Sequence, residues 1–223
     1  MTYSMIPPVH RSGLRYDVVS HILKAIFRGQ LHEGDRLVVQ KIAEQYGVSA
    51  TPARESLLEL ASLGMVDMQP NRGAVVRPFG RQQLGEIYQI RRILTAEATR
   101  CACGNVESEQ FSALRHELNR LIEAEAGPPF TTASIEADRR LHDLIVDACG
   151  NVRLADEIRR YDTMVKVARD VANSDHDTQR RAIADQLRIV DAILSGNEQQ
   201  AAEAMAQHVH SAEEVAAAIF DKK

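Results

Sequence analysis

Two groups of residues in this 223-residue chain have types and spacing that could do chemistry. Asp138 and His142 are spaced i, i+4, so on a helix both project from one face. An imidazole nitrogen and a carboxylate oxygen in that register can bind one divalent metal. The same pair also serves as a surface hydrogen bond or a helix-stabilising contact, and spacing does not choose between these. The second group is Gly47-Val48-Ser49-Ala50-Thr51-Pro52-Ala53-Arg54. Gly47 can take the left-handed conformation that ends a helix. Ser49 and Thr51 can each cap the next one, and Pro52 suits its first turn. Ala53, Leu57, Leu60 and Ala61 then share one face, while Ser49, Thr51 and Arg54 stay off it at the exposed N-terminal end. A short helix with an apolar back and a cationic tip fits a major groove, which is about 12 Å wide. An ordinary capped surface helix has the same pattern. Cys101, Cys103 and Cys149 are an odd set without a disulfide pattern, consistent with a reducing compartment, and read as packing residues rather than ligands.

The elements that must position these groups begin after an arm, residues 1–11, which carries Pro7-Pro8 and no periodicity. Ser12 can cap a helix to about Arg28, with Leu14, Val18, Ile22 and Ile26 as its stripe. Gly29 ends it. The stretch 30–37 reads as a turn with Gly34 as pivot, and a second helix follows from Val39 to Tyr46. The third helix is the cationic-tipped one, ending at Gly64. Met65-Val66-Asp67-Met68 and Ala74-Val75-Val76 are β-prone, and Pro70-Asn71-Arg72-Gly73 supplies a hairpin turn. Three helices followed by a β-hairpin form a winged helix-turn-helix over residues 12–78. Its third helix would enter the groove of double-stranded DNA. The wing tip, Asn71-Arg72-Gly73, would reach the neighbouring backbone or minor groove, and a Gly73 without Cβ lets the chain approach a phosphate. Arg36 is a further candidate contact, or a surface charge in a turn.

Residues 79–223 read as helix throughout, near 81–103, 106–126, 132–149, 152–172, 176–195 and 198–220. The apolar stripes include Leu84, Ile87, Ile90 and Leu94, and Phe111, Leu114, Leu118 and Leu121. Gly127-Pro128-Pro129, Gly150-Asn151 and Gly196-Asn197 are the breaks, and Asn197 with Gln200 makes a capping box. Six helices around a core form an antiparallel bundle. Hydrophobic residues at 44% suffice for a core, and no apolar run approaches the roughly 18 residues of a membrane span, so the chain is expected to be soluble and cytoplasmic. The net charge of −4 is unevenly divided. Residues 1–80 carry nine basic and seven acidic side chains, the remainder 18 and 24. An N-terminal part that approaches a polyanion, carried on an acidic remainder, has this distribution.

Gly34-Asp35-Arg36-Leu37, Ile42-Ala43, Gly47-Val48-Ser49-x-Thr51-Pro52-x-Arg54-Glu55, Gly64-Met65-Val66 and Asn71-Arg72-Gly73-Ala74-Val75-Val76 resemble the N-terminal domain of GntR-type transcription regulators. That resemblance implies operator contacts by Arg36, Ser49, Thr51, Arg54 and Gly73. Ala50 departs from the usual Arg between Ser and Thr, which would alter guanine readout. Asp138-x3-His142 followed by Gly150-Asn151, with Ile87 to Leu94 before it and Gln186 to His208 after it, resembles the FCD domain of the FadR branch. The resemblance implies an all-helical effector-binding and dimerisation domain in which Asp138, His142 and His208 hold zinc, nickel or manganese. The fourth ligand position, a His in the family, is Gln186, whose neutral carbonyl is a poorer donor. Either a weakened three-ligand site persists, or the metal is lost and the effector is held by Arg and hydrogen bonds. Arg91 matches the family's first-helix Arg and would pair with an effector carboxylate, unless it forms a bundle salt bridge. Gln186 and Asn151 are the other candidate effector contacts.

These resemblances imply a ligand-responsive repressor, a homodimer on a pseudo-palindromic operator, with a small carboxylate as effector and no membrane partner. A metal-dependent helical enzyme is the contrasting class, since Asp138, His142 and His208 could activate water. No nucleophile–base arrangement or phosphate-binding glycine loop accompanies them, so the chain is expected not to be an enzyme. An architectural DNA-binding protein without effector is a further alternative. A fatty acyl thioester as effector is disfavoured, because acyl-binding relatives lack the metal-type residues.

Overall fold

The computed structural model describes residues 11–70, 72–172 and 175–221. Residues 1–10 of the arm, the Ser12 cap, the Leu14 side chain and Asn71 therefore lie outside the described residues. The chain forms two compact units. One comprises the residues up to Gly80 with Thr163–Val171, the other Arg81–Asp162 with the residues from Ala172 onward.

In the first unit, α1 (Arg11–Phe27) buries Val18, Val19, Ile22, Leu23, Ile26 and Phe27. A short β1 (Arg36–Leu37) leads to α2 (Val39–Tyr46), which ends on Gly47 in the left-handed conformation. α3 (Ala50–Ser62) turns Ala53, Ser56, Leu57 and Leu60 inward. β2 (Val66–Gln69) and β3 (Gly73–Val76) form the expected hairpin, with Val66 opposite Val76 and Gln69 opposite Gly73. β1 adds a third antiparallel strand on the free edge of β3, pairing Arg36 with Val75 and Leu37 with Ala74. The sequence predicts only a turn over 30–37. Two residues are too few to show alternation, and their partner strand lies far along the chain.

Ser49 occupies the N-cap position of α3, but its side chain makes no capping hydrogen bond, and Thr51 lies within the first turn. Neither hydroxyl has the capping role expected of it.

In the second unit, α4 (Arg81–Ala102) packs on α10 (Glu198–Ala217), α10 on α9 (His176–Leu194), and α9 on α5 (Ser108–Ile122). α6 (Pro128–Ala148) contacts α4, α5 and α9. The expected break at Gly127-Pro128-Pro129 falls between α5 and α6, and Pro128 and Pro129 open α6, since the first turn needs no N–H from them. Asn197 caps α10 by accepting from the Gln200 amide at 3.0 Å, but Gln200 accepts from Asn197 Nδ2 while the Asn197 backbone N–H goes to Ala192 O, so only half of the expected capping box forms.

The buried face of α4 is Leu84, Tyr88, Arg91, Thr95, Ala98, Thr99 and Ala102. The expected stripe is shifted off it: Ile87 is only half-buried and Ile90 is exposed. Apolarity misleads here because the inner face carries an Arg and two Thr. The Thr hydroxyls are satisfied along the helix itself, donating to Arg91 O and Thr95 O at 2.7 Å.

The single helix expected over 152–172 is two: α7 (Val152–Arg160) and α8 (Asp162–Ala172), with Tyr161 between them. α7 buries Ala155 and Ile158 in the second unit. α8 buries Met164, Val165, Val167 and Ala168, and residues 163–171 belong to the first unit. There Asp170 pairs with Lys24 at 3.2 Å, and Lys166 lies 5.1 Å from the Tyr16 ring centroid. A run claimed by two cores breaks without needing Gly or Pro.

Candidate metal centre and nucleic-acid interface

α3 presents its N-terminal end outward. Ser49, Thr51 and Arg54 are exposed there, as are Arg36 on β1 and Arg72 at the wing. Arg36, Arg54 and Arg72 form no ion pair with any described residue, whereas Arg15 is spent on Glu59 at 3.1 Å and Arg77 on Asp67. Three unneutralised guanidiniums and two hydroxyls on one small unit suit a polyanion. The absent bulk at Gly73 has a cause within the fold. With φ +86°, a Cβ there would stand 2.0 Å from Leu37 O, so the β1–β3 approach alone demands glycine.

In the second unit, helix period sets Asp138 and His142 side by side on α6, and α10 brings His208 across from them. Ligand atoms of the three lie within 4.8 Å of one another, and all three residues are buried. His208 Nε2 is 3.1 Å from Asp138 Oδ1, and the two imidazole rings are 5.8 Å apart. A spacing near 3 Å is that of two neighbouring donors on one ion with bonds of about 2.1 Å. A buried carboxylate between two imidazoles also needs a cation or a proton to neutralise it. Donor types, spacing and burial thus fit a divalent metal. Gln186 on α9 is 1% exposed and donates from Nε2 to the same Asp138 Oδ1 at 3.0 Å.

Arg91 is buried on α4. It lies close enough to Asp162 to lower that carboxyl's pKa, although burial is the dominant influence and raises it to about 6, helped by Asp143 and Asp138. Asp162 is exposed at the surface, and the desolvation comes from protein atoms that crowd around its carboxyl. Sequence reasoning missed this residue, because nothing marks an acidic residue inside an apparent helix as special. Asn151 is not brought to the cluster by any described contact. It is exposed, and its Oδ1 caps α7 by accepting from the Leu154 amide at 3.1 Å.

Comparison with known proteins bears on both sites. The profile of bacterial regulatory proteins of the gntR family matches residues 14–76, and the FCD domain profile matches residues 86–211. The chain is a GntR-family transcription regulator with an FCD domain. It is 30% identical over 202 residues to a probable D-xylose utilization operon transcriptional repressor of Paenarthrobacter nicotinovorans, covering 89% of this chain and 87% of that one. With the transcriptional regulator McbR of Escherichia coli it shares 36% identity over 97 residues, 44% of each chain. Among solved structures, E. coli McbR/YncC superposes with a TM-score of 0.65 at 23% identity, over 94% of this chain and 98% of that one. A Listeria monocytogenes protein, Lar, which controls expression of the agr system there, gives a TM-score of 0.60 at 16% identity over 95% and 98%. These likenesses establish the fold of this GntR-family regulator, and its families are DNA-binding regulators rather than enzymes. No helix among the described residues is long and apolar enough to cross a membrane.

Proposed function

We propose that this GntR-family regulator is a ligand-responsive repressor. Two chains pair on a pseudo-palindromic operator, and each helical unit binds a small organic acid that changes affinity for DNA. The observation that carries the reading is the convergence of Asp138, His142 and His208 inside a unit of a DNA-binding regulator that needs no such polar cluster for stability. Asp138, His142 and His208 would hold a divalent zinc, nickel or manganese ion. When bound, such an ion supplies a Lewis-acid point for an effector carboxylate. Arg91 contributes a planar fork for the same carboxylate. Ser49, Thr51 and Arg54 read the groove, while Arg36, Arg72 and the Gly73 wing hold the backbone. A relative described as a probable D-xylose operon repressor supports the sign of regulation.

A second reading has an observation of its own. Gln186 and His208 both hydrogen-bond Asp138, so the carboxylate is partnered by protein alone. In that case the effector is held without metal. Elemental analysis of untagged protein purified without chelator, joined to a thermal-shift panel of small carboxylates with and without zinc, nickel or manganese, separates the two. Carboxylate shifts that need no metal favour the second reading. No shift with any acid removes the effector role altogether.

For the DNA side, Arg54→Ala should cost about 1–3 kcal/mol of operator affinity while leaving the melting temperature unchanged. An operator affinity equal to wild type would take Arg54 out of the reading helix.

A further inference from the structure

We propose that Gln186 is a positioning residue and not a ligand: its amide nitrogen holds the Asp138 carboxylate, and Asp138, His142 and His208 alone present donors to a divalent ion. This rests on the metal reading above. Gln186 comes from α9, Asp138 and His142 from α6 and His208 from α10, so three helices meet at one carboxylate. Asp138 Oδ1 receives Gln186 Nε2 at 3.0 Å and stands 3.1 Å from His208 Nε2. Gln186 Oε1 is buried and finds no hydrogen-bond partner among the described residues.

The amide has two orientations, and the hydrogen-bond network selects one. Turned over, Oε1 would face Oδ1, acceptor against acceptor with no proton between them. The two N–H groups would then sit where Oε1 now lies unpartnered. The Nε2–H bond to Asp138 Oδ1 would be exchanged for an oxygen–oxygen repulsion. A divalent ion gains little by forcing that exchange, because a neutral amide oxygen is a weaker donor than the imidazoles and carboxylate already present. The N–H on the carboxylate instead fixes which way Asp138 faces, the ordinary work of an outer-shell partner of a ligand. The chain then offers two imidazoles and one carboxylate, and the other coordination positions fall to water or to a chelating acid.

The test uses the full chain stripped with chelator, and Mn2+ as the probe. Free Mn2+ measured by electron paramagnetic resonance gives the dissociation constant, and water-proton relaxation gives the number of waters on the bound ion. Gln186→Met should weaken Mn2+ binding about 10–100-fold with the water number unchanged. Gln186→His adds an imidazole, so its water number should fall by one and Zn2+ should bind more tightly. A gain of one water in Gln186→Met, or an unchanged dissociation constant, overturns the proposal. So does an unchanged water number in Gln186→His, which would mean that one ligand had replaced another. Should Gln186→Met fail to fold in a thermal melt, Gln186→His decides alone. Wild-type protein that binds neither Mn2+ nor Zn2+ overturns the metal reading itself, an outcome distinct from those.

Discussion

Asp162 carries a prediction that belongs to one residue. Its ordinary carboxyl value is near 3.8, and in the folded chain burial pushes it up to about 6, with Asp143 and Asp138 adding to the effect and Arg91 and Arg159 opposing it. Between those values the unfolded chain has already released a proton that the folded chain keeps. Raising the pH across that window therefore favours unfolding. Asp162→Asn cannot ionise, so it escapes this loss. Thermal melts in chelator should show the variant gaining on wild type from about pH 4 and holding its advantage above pH 6. A difference that does not change with pH would sink the assignment. Residues of this kind are illegible in sequence, because the shift is made by neighbours from other helices. Asp138 and His142 are legible, since helix period alone places them together. His208 and Gln186, 70 and 48 positions from Asp138, could be attached to that pair only through family likeness.

Elements show where a backbone, not a side chain, sets the requirement. Gly73 and Gly34 both adopt φ +86°, yet a Cβ on Gly34 would meet open space, whereas one on Gly73 would collide with Leu37 O. Gly34→Ala should therefore cost only about 1 kcal/mol, the penalty of the left-handed conformation. Gly73→Ala must also push β1 off β3, and its loss should exceed that of Gly34→Ala by about 2 kcal/mol or more. Urea unfolding of both variants measures the contrast, and equal losses would mean that β1 does not pair as described. The hairpin is legible in the sequence but β1 is not, because two residues are too few for a period. The Phe111, Leu114, Leu118 and Leu121 face of α5, all buried, is legible too, because that face is purely apolar. On α4 the expected stripe meets the packed side only at Leu84, because that side also includes Arg91, Thr95 and Thr99. Periodicity works where the core is greasy and slips where function or helix–backbone hydroxyl bonds put polar atoms inside.

At the scale of the molecule, charge and periodicity divide the chain near residue 79, yet α8 is drawn into the unit that carries α3. No local signal could announce this, since α7 and α8 read as one amphipathic run and only competing cores separate them. One α3 spans a single stretch of groove, and Arg36, Arg54 and Arg72 of one chain would neutralise few phosphates, which gives weak binding with a shallow salt slope. Two chains related by a two-fold axis would place their helices about one helical turn apart, roughly 10 base pairs. An operator selected from random duplexes should therefore be pseudo-palindromic. Inserting about 5 base pairs between its halves turns one half-site to the opposite face of the duplex. Affinity should then fall to that of an isolated half-site in a gel-shift titration. If the insertion changes nothing, or a lone half-site binds as tightly as the whole, the reading heads act singly and the paired arrangement is wrong. An intermediate salt slope distinguishes partial engagement: losing one head should lower it by about 0.9 for each phosphate contact that head made.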